Sequence, residues 1–164
     1  LGQLEKDLLD YLGFRENKMK EYPHGNYDDI CDKYKTDELD HCHEEQIEKD
    51  FGNVFFLENF PEKTSPFWNM KLQEDKIHSN KIDVIIHGIE TIGSAERSTS
   101  KEEMKDKFLT ISNGLYAQKL YDLFGEERVN SELDKFLQND FIERSGGGIG
   151  MTRLIRAMRL SNLL

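Results

Sequence analysis

Apolar residues along this chain recur at two different periods, and the places where the period changes mark its elements. In LGQLEKDLLDYLGF, Leu1, Leu4, Leu8, Tyr11 and Leu12 fall at helical spacing and the pattern stops at Gly13, which predicts an amphipathic helix. YPHGNYDD is turn-rich. DDICDKY and TDELDHCHEEQIEKDFG read as two short acidic helices, the second capped by Thr36 or Asp37. NVFFLENF has the pattern of a buried strand, and PEKTSPFW, with its two prolines, that of a turn or extended stretch. The β-branched run KIDVIIHGIETIG is interrupted at His87-Gly88 and predicts two antiparallel strands or one bent strand. Helical spacing returns in EEMKDKF, GLYAQKLYDLFG and VNSELDKFL. A glycine strand follows, then a last helix, LIRAMRLSNLL, with Leu154, Ile155, Met158 and Leu160 on its apolar side. This order predicts an α+β domain built on an antiparallel sheet flanked by helices.

The length of 164 residues suits one domain with a single core. The first residue is Leu1 and a helix begins at once, so the sequence is expected to be a segment of a longer chain. Charge changes the picture more than length does. Against 22 basic residues stand 32 acidic ones, a net of -10, which disfavours a protein built to hold duplex DNA. Seven carboxylates and one lysine lie between Asp37 and Asp50, whereas Arg144 to Leu164 holds four arginines and no acid. The basic end is where an anion would sit. Two cysteines, Cys31 and Cys42, are too few for a disulfide framework. Without a signal-like segment or a long apolar run, the expectation is a cytoplasmic protein with no membrane contact.

The candidate chemistry begins at SGGGIGMTRL, residues 145–154. A P-loop needs Gly-Lys, which does not occur here, and a dinucleotide fingerprint would require a glycine at Met151 or Arg153. Flexible linkers do not carry Ile and Met or run directly into an arginine-bearing helix. The remaining reading is a strand stripped of side chains, on which a flat ligand can lie, followed by a helix whose first turn offers a planar cationic fork. The helix N-terminus adds its own partial positive charge.

Gly146, Gly148, Gly150, Arg153 and Leu154 match G-x-G-x-G-x-x-R-L, which resembles motif 3 of the class II aminoacyl-tRNA synthetases. A second, separate match lies in IDVIIHGIETIGSAER. Asp83 to Glu90 is seven residues and Glu90 to Arg97 is seven, the spacing of the aspartate and asparagine branch. Phe60, Pro61, Phe67, Trp68 and Met70 resemble the aromatic block that precedes those strands, so the likeness covers roughly residues 27–164. The resemblance implies that the glycines form the floor under ATP, that Arg153 clamps its phosphates, and that Asp83 and Glu90 hold its magnesium. It implies that Arg97, with Ser94 nearby, holds the amino acid, and that Glu90 and Arg153 carry the catalytic work. Magnesium does take one or two carboxylates beside substrate phosphates, and an acidic substrate needs a cation.

Motif 1 and the F-R-x-E of motif 2 are not found. Phe14-Arg15-Glu16 has Asn17 where the acid belongs. Residues 1–164 therefore read as the C-terminal part of a class II catalytic domain, from a protein expected to be a homodimer. The implied reaction is ATP-dependent activation of aspartate or asparagine to the aminoacyl-adenylate, followed by transfer to tRNA. Ala95 stands where these ligases usually have Ser, with Ser94 one residue early, and Thr152 where they usually have an acid; GGGIG followed by a small hydroxyl residue before the arginine looks more like ammonia-dependent asparagine synthetase, the alternative reading. A non-catalytic relative is a second alternative, against which the retention of Asp83, Glu90, Arg97 and Arg153 argues. Cys31, His41, Cys42 and His43 suggest zinc, but adjacent His-Cys-His on one helix cannot face one metal. His87, between the two carboxylates in sequence, could touch substrate, but reads better as an exposed turn residue at a strand junction. Arg156 is one helical turn beyond Arg153 and could line the same anion site, while Arg144 could meet a neighbouring acid or a tRNA end.

Overall fold

The computed structural model describes residues 1–15, 20–64 and 67–164. Among the described residues, five strands form one sheet in the order of the chain: β1 (His24–Asn26), β2 (Val54–Pro61), β3 (His78–Ile86), β4 (Ile89–Arg97) and β5 (Arg144–Ile149). β2 through β5 pair antiparallel, as expected; β1 adds a parallel pairing, setting His24 beside Phe56. The chain reaches β2 only after two helices, α2 (Tyr27–Tyr34) and α3 (His41–Phe51), and such a crossover is what a parallel pair requires. The break at His87-Gly88 is a two-residue hairpin. Both residues have positive φ, 48° and 69°, the combination that matches the twist of the flanking strands.

Each face of the sheet has its own cover. Phe56, Val84, Ile86 and Ile92 point to one side, where α1 (Gly2–Leu12) contributes Leu9 and α7 (Met151–Leu160) contributes Leu154 and Ala157. Phe55, Leu57 and Ile85 point to the other, against Ile30 of α2 and Ile47 of α3. The apolar contacts of this second cover end at β3 and α3 reaches the start of β4 through Glu44, so the rest of β4 and β5 keep a face that these helices do not fill. The helices α4 (Lys101–Thr110), α5 (Leu115–Phe124) and α6 (Glu126–Leu137) close a separate cluster around Met104, Phe108 and Leu133. Trp68 joins it edge-on to Phe108 at 5.5 Å.

The helical faces differ from the expected ones in detail. Leu4 and Tyr11 of α1 are 69% and 88% exposed, because the buried stripe runs through Glu5 and Leu9 instead. In α7, Ile155 and Leu160 face outward while Ala157 is fully buried, since a small side chain lets the helix approach the sheet. Helix α3 starts later than expected. Its cap is Asp40, whose Oδ1 accepts from the amides of Cys42 and His43 at 2.9 and 3.2 Å, with the His43 ring returning to the Asp40 amide. Thr36 is engaged elsewhere, donating to the Glu38 carbonyl. No helix among the described residues is long and apolar enough to cross a membrane.

These burial differences set stability. Phe56→Ala is expected to cost about 3–5 kcal/mol, the price of a cavity at a fully buried aromatic. Leu4→Ser, at a position the periodicity alone would place inside, should change stability by no more than about 0.5 kcal/mol. Urea unfolding midpoints of the two variants check both values.

Candidate active site

Residues seven apart on a strand point to opposite faces, because side chains alternate with a period of two. Glu90 and Arg97 nevertheless share a face, and an irregularity explains how. In the β3–β4 register Ile85 pairs with Glu90 but Val84 pairs with Ile92, leaving Thr91 as an extra residue. This β-bulge shifts the parity of everything beyond it, so Glu90, Gly93, Ala95 and Arg97 all point to the side of Asp83. Thr91 is buried, and its carbonyl accepts from the Gly150 amide at 2.9 Å. The bulge is thereby tied to the start of α7 and to Arg153.

At the acidic end, Asp83 and Glu90 converge above Gly93. A Cβ on that glycine would lie 2.7 Å from Glu90 Oε1 and 3.2 Å from Asp83 Oδ1, so any side chain there would collide with the carboxylates. Asp83 is 7% exposed, and its Oδ1 has no hydrogen-bond partner among the described residues. Its Oδ2 is held by the Lys81 ammonium, which also sits 3.5 Å over the Phe60 ring. Burial raises the Asp83 pKa to about 6; Lys81 opposes the rise, and the charges of Glu90 and Glu44 add to it. Arg153 reaches across from α7, donating from Nη1 to the Glu90 carbonyl at 2.6 Å, and lies 4.0 Å from the Glu90 carboxylate. The result is an orphaned carboxylate oxygen facing a second carboxylate, a donor set suited to a hard divalent cation.

The strand of glycines forms the floor next to this end. Gly93 pairs with Gly148, and Ala95 with Gly146, so the bare backbone of β5 continues the face of β4. Each glycine is small for its own reason. Gly146 lies under the Arg97 guanidinium, where a Cβ would be 3.3 Å from Nε. Gly147 faces the opposite side, where a Cβ would be 2.6 Å from the Gly93 carbonyl. A Cβ on Gly148 would meet nothing within 4 Å, leaving the site face open above it. Gly150 caps α7 and packs against the Arg153 side chain. Beyond the floor, Arg97 donates to Asn69 Oδ1 at 3.2 Å and to the Gly146 carbonyl at 3.3 Å. Burial lowers its pKa, and the neighbouring Arg144 lowers it further.

The structure thus brings Asp83, Glu90, Arg97, Arg153, Gly146, Gly148 and Gly150 to one face or its rim. It does not bring Ser94 there. Ser94 pairs with Gly147, is buried, and points to the side of α1, since the same parity that turns Arg97 inward turns its neighbour away. Ala95, fully buried, holds the position on the site face. The aromatic block divides: Phe60, Phe67 and Met70 line a cavity of about 300 Å³ with Asp83 and Glu44, whereas Trp68 belongs to the helical cluster. His87 is not an exposed turn residue. It is buried and joins Glu48 of α3 at 2.9 Å to Ser161, just beyond α7, at 2.8 Å. Arg156 donates to the His87 carbonyl at 3.2 Å.

Sequence reasoning missed Glu44 and Lys81. Glu44 accepts from the Glu90 amide at 3.3 Å, and its pKa is raised by burial and by the Glu90 charge. Its one signal was the density of acids in α3, which equally describes a solvated face. Cys31 is buried and Cys42 exposed, and no group of three or more His, Cys, Asp or Glu among the described residues is arranged to hold a metal, so zinc is not supported. Of the rejected F-R-x-E candidate, Phe14 is in the core and Arg15 grips Asp10 through two bonds of 2.7 Å; Glu16 and Asn17 lie outside the described residues. Ser65 and Pro66 of the predicted turn also lie outside them.

Comparison with known proteins follows this geometry. The aspartate-tRNA(Asp) ligase of Pyrobaculum aerophilum is 26% identical over 98 residues, 55% of this chain and 22% of that protein. Asparaginyl-tRNA synthetase from Pyrococcus horikoshii has the same fold over 98% of this chain and 39% of its own, with a TM-score of 0.63 at 21% identity. Its complex with asparaginyl-adenylate matches over 94% of this chain and 36% of its own, with a TM-score of 0.62 at 22% identity. Aspartyl-tRNA synthetase from Entamoeba histolytica matches over 95% of this chain and 34% of its own, with a TM-score of 0.62 at 18% identity. The chain therefore spans between a fifth and two fifths of the length of these relatives. Residues 3–162 match the model of the tRNA synthetases class II (D, K and N), and the chain belongs to that family.

Proposed function

We propose that this chain forms one side of the active site of an ATP-dependent ligase that activates aspartate or asparagine as the aminoacyl-adenylate and transfers it to tRNA. The observation that carries the reading is the convergence of Asp83 and Glu90 over Gly93, beside a bare glycine strand and Arg153. The floor of β5 gives a planar base or acyl-adenylate room to lie flat. Arg153, on the first turn of α7, presents guanidinium donors where phosphate charge would gather. Arg97 presents a half-buried cation about 13 Å along β4 from Gly93, at about 3.3 Å per residue, where the far end of an acidic or amide side chain would reach. No protein nucleophile is needed, because the substrate carboxylate itself attacks the α-phosphate. Catalysis is positioning plus electrostatic stabilisation.

Asp83 and Glu90 would hold magnesium, which when bound neutralises phosphate charge. The free oxygen of Asp83 supports that role, and Lys81 would have to share the other. The two free cysteines suit a reducing compartment, and we place the protein in the cytoplasm on that ground. Homodimer formation belongs to the same reading, by analogy with the family.

The decisive experiment is ATP–pyrophosphate exchange by the full-length protein with aspartate and with asparagine, followed by addition of tRNA or ammonia. Exchange completed by tRNA supports the ligase; completion by ammonia alone would replace it with asparagine synthetase. Arg153→Ala should lower exchange by about 100-fold or more. Gly148→Val fills open space, so it should leave the thermal midpoint unchanged while strongly raising the KM for ATP; an unchanged KM would remove the glycine floor from the mechanism. Protonation gives a further check. A carboxyl whose folded pKa lies above its unfolded value contributes stability that is present at low pH and lost as pH rises through the folded pKa. Burial of Asp83 should therefore cost roughly 3 kcal/mol, acquired between about pH 4 and pH 6. Asp83→Asn should flatten the fall of stability in that window, as read by denaturant unfolding at a series of pH values.

A further inference from the structure

Arg97 and Arg144 are direct cross-strand partners on β4 and β5, so two guanidinium groups stand side by side on one face. Like charges directly opposite are unfavourable in a sheet unless something compensates them. No described residue does. Arg97 meets only the Asn69 side-chain oxygen and the Gly146 carbonyl, and Arg144 only the carbonyls of Ser98 and Ile142 and the face of Phe141, 4.6 Å away. The two acids nearest them do not relieve the pair. The Glu96 carboxylate is engaged by Asn80 at 2.9 Å and Lys71 at 3.4 Å, and exposed Glu143 forms no ion pair with either arginine. Both arginines line one cavity of about 320 Å³, whose wall also includes Lys71, Glu96 and Glu143, at the end of β4 and β5 away from Asp83 and Glu90; neither acid there forms an ion pair with either arginine.

We infer that Arg144 is a second specificity residue that joins Arg97 in binding a fully ionised side-chain carboxylate, so that the site selects aspartate over its amide. This rests on the reading of the chain as part of an amino-acid-activating site. Two unpaired guanidiniums, each with donors to spare, match a carboxylate that accepts on both oxygens. An amide brings no charge and points its own N–H donors at a cation, leaving the arginine pair uncompensated. Polar groups left unpaired in a binding site are the source of strong discrimination between near-isosteric substrates.

The test compares kcat/KM for aspartate and asparagine in ATP–pyrophosphate exchange, using the full-length protein and its Arg144→Gln and Arg144→Lys variants. The wild type should prefer aspartate, and Arg144→Gln should lower the aspartate-to-asparagine ratio by roughly 100-fold. Arg144→Lys, which keeps the charge and loses the planar fork, should fall between them. Thermal midpoints show whether each variant is folded, and because the readout is a ratio within one variant, a partial loss of folded protein does not mimic the effect. A wild-type preference for asparagine, or an unchanged ratio in Arg144→Gln, overturns the inference while leaving the activation chemistry in place. So does a variant that exchanges normally but charges tRNA poorly, which would assign Arg144 to the nucleic acid. Absence of exchange with every amino acid tested would instead remove the activation reading, and this inference with it.

Discussion

The site depends on one extra residue in one strand. Without the bulge at Thr91, alternation along β4 would send Glu90 and Arg97 to opposite faces, separating the acidic end of the site from its basic end. With it, the two stand on one side, and the buried Thr91 carbonyl receives the amide that opens α7. Three elements are thereby fixed to each other through a single peptide: β3 with Asp83, β4 with Glu90 and Arg97, and α7 with Arg153. A bulge that re-aims a side chain beside an active site is a recurrent use of this irregularity. The His87 hairpin next to it serves the same end, since a buried ring bonded to both Glu48 and Ser161 binds the turn to the helices on the two faces of the sheet.

Much of this was readable in the sequence because it follows from local rules. The hairpin at His87-Gly88, the bare strand from Ser145 to Gly150 and the amphipathic helices each announce themselves through turn chemistry or period. The odd spacing of Glu90 and Arg97 was read only through family resemblance. From alternation alone it would have counted against a shared site, because a bulge leaves no mark in a run such as ETIGSA. Ser94 shows the other side of the same rule: it precedes Ala95 by one residue, and one residue on a strand is a change of face. Glu44 and Lys81 were hidden for another reason. Each is a charged residue in a charged neighbourhood; the approach of α3 to the edge of β4 distinguishes Glu44 from its solvated neighbours, and the pairing of β2 with β3, which lays the ammonium over Phe60, distinguishes Lys81.

The distribution of charge across the site follows from what each end lacks. At one end three carboxylates, Asp83, Glu90 and Glu44, lie close together, so that the charges of Glu90 and Glu44 oppose ionisation of Asp83 and the charge of Glu90 opposes that of Glu44; the cations beside them are Lys81 and the exposed Arg153. At the other end two arginines face one another, and among the described residues no acid forms an ion pair with either. Burying a group of like charges costs free energy in each place, and pairing the two groups with one another would have removed it. The sheet prevents that pairing. Gly93, Ala95, Gly146 and Gly148 lie between the two ends, and none of them has a side chain long enough to carry charge across. The separation therefore persists as an unbalanced dipole along the glycine floor. A ligand that is anionic at one end and brings a divalent cation to the other would satisfy both halves of it at once, so charge alone would couple the binding of its two ends.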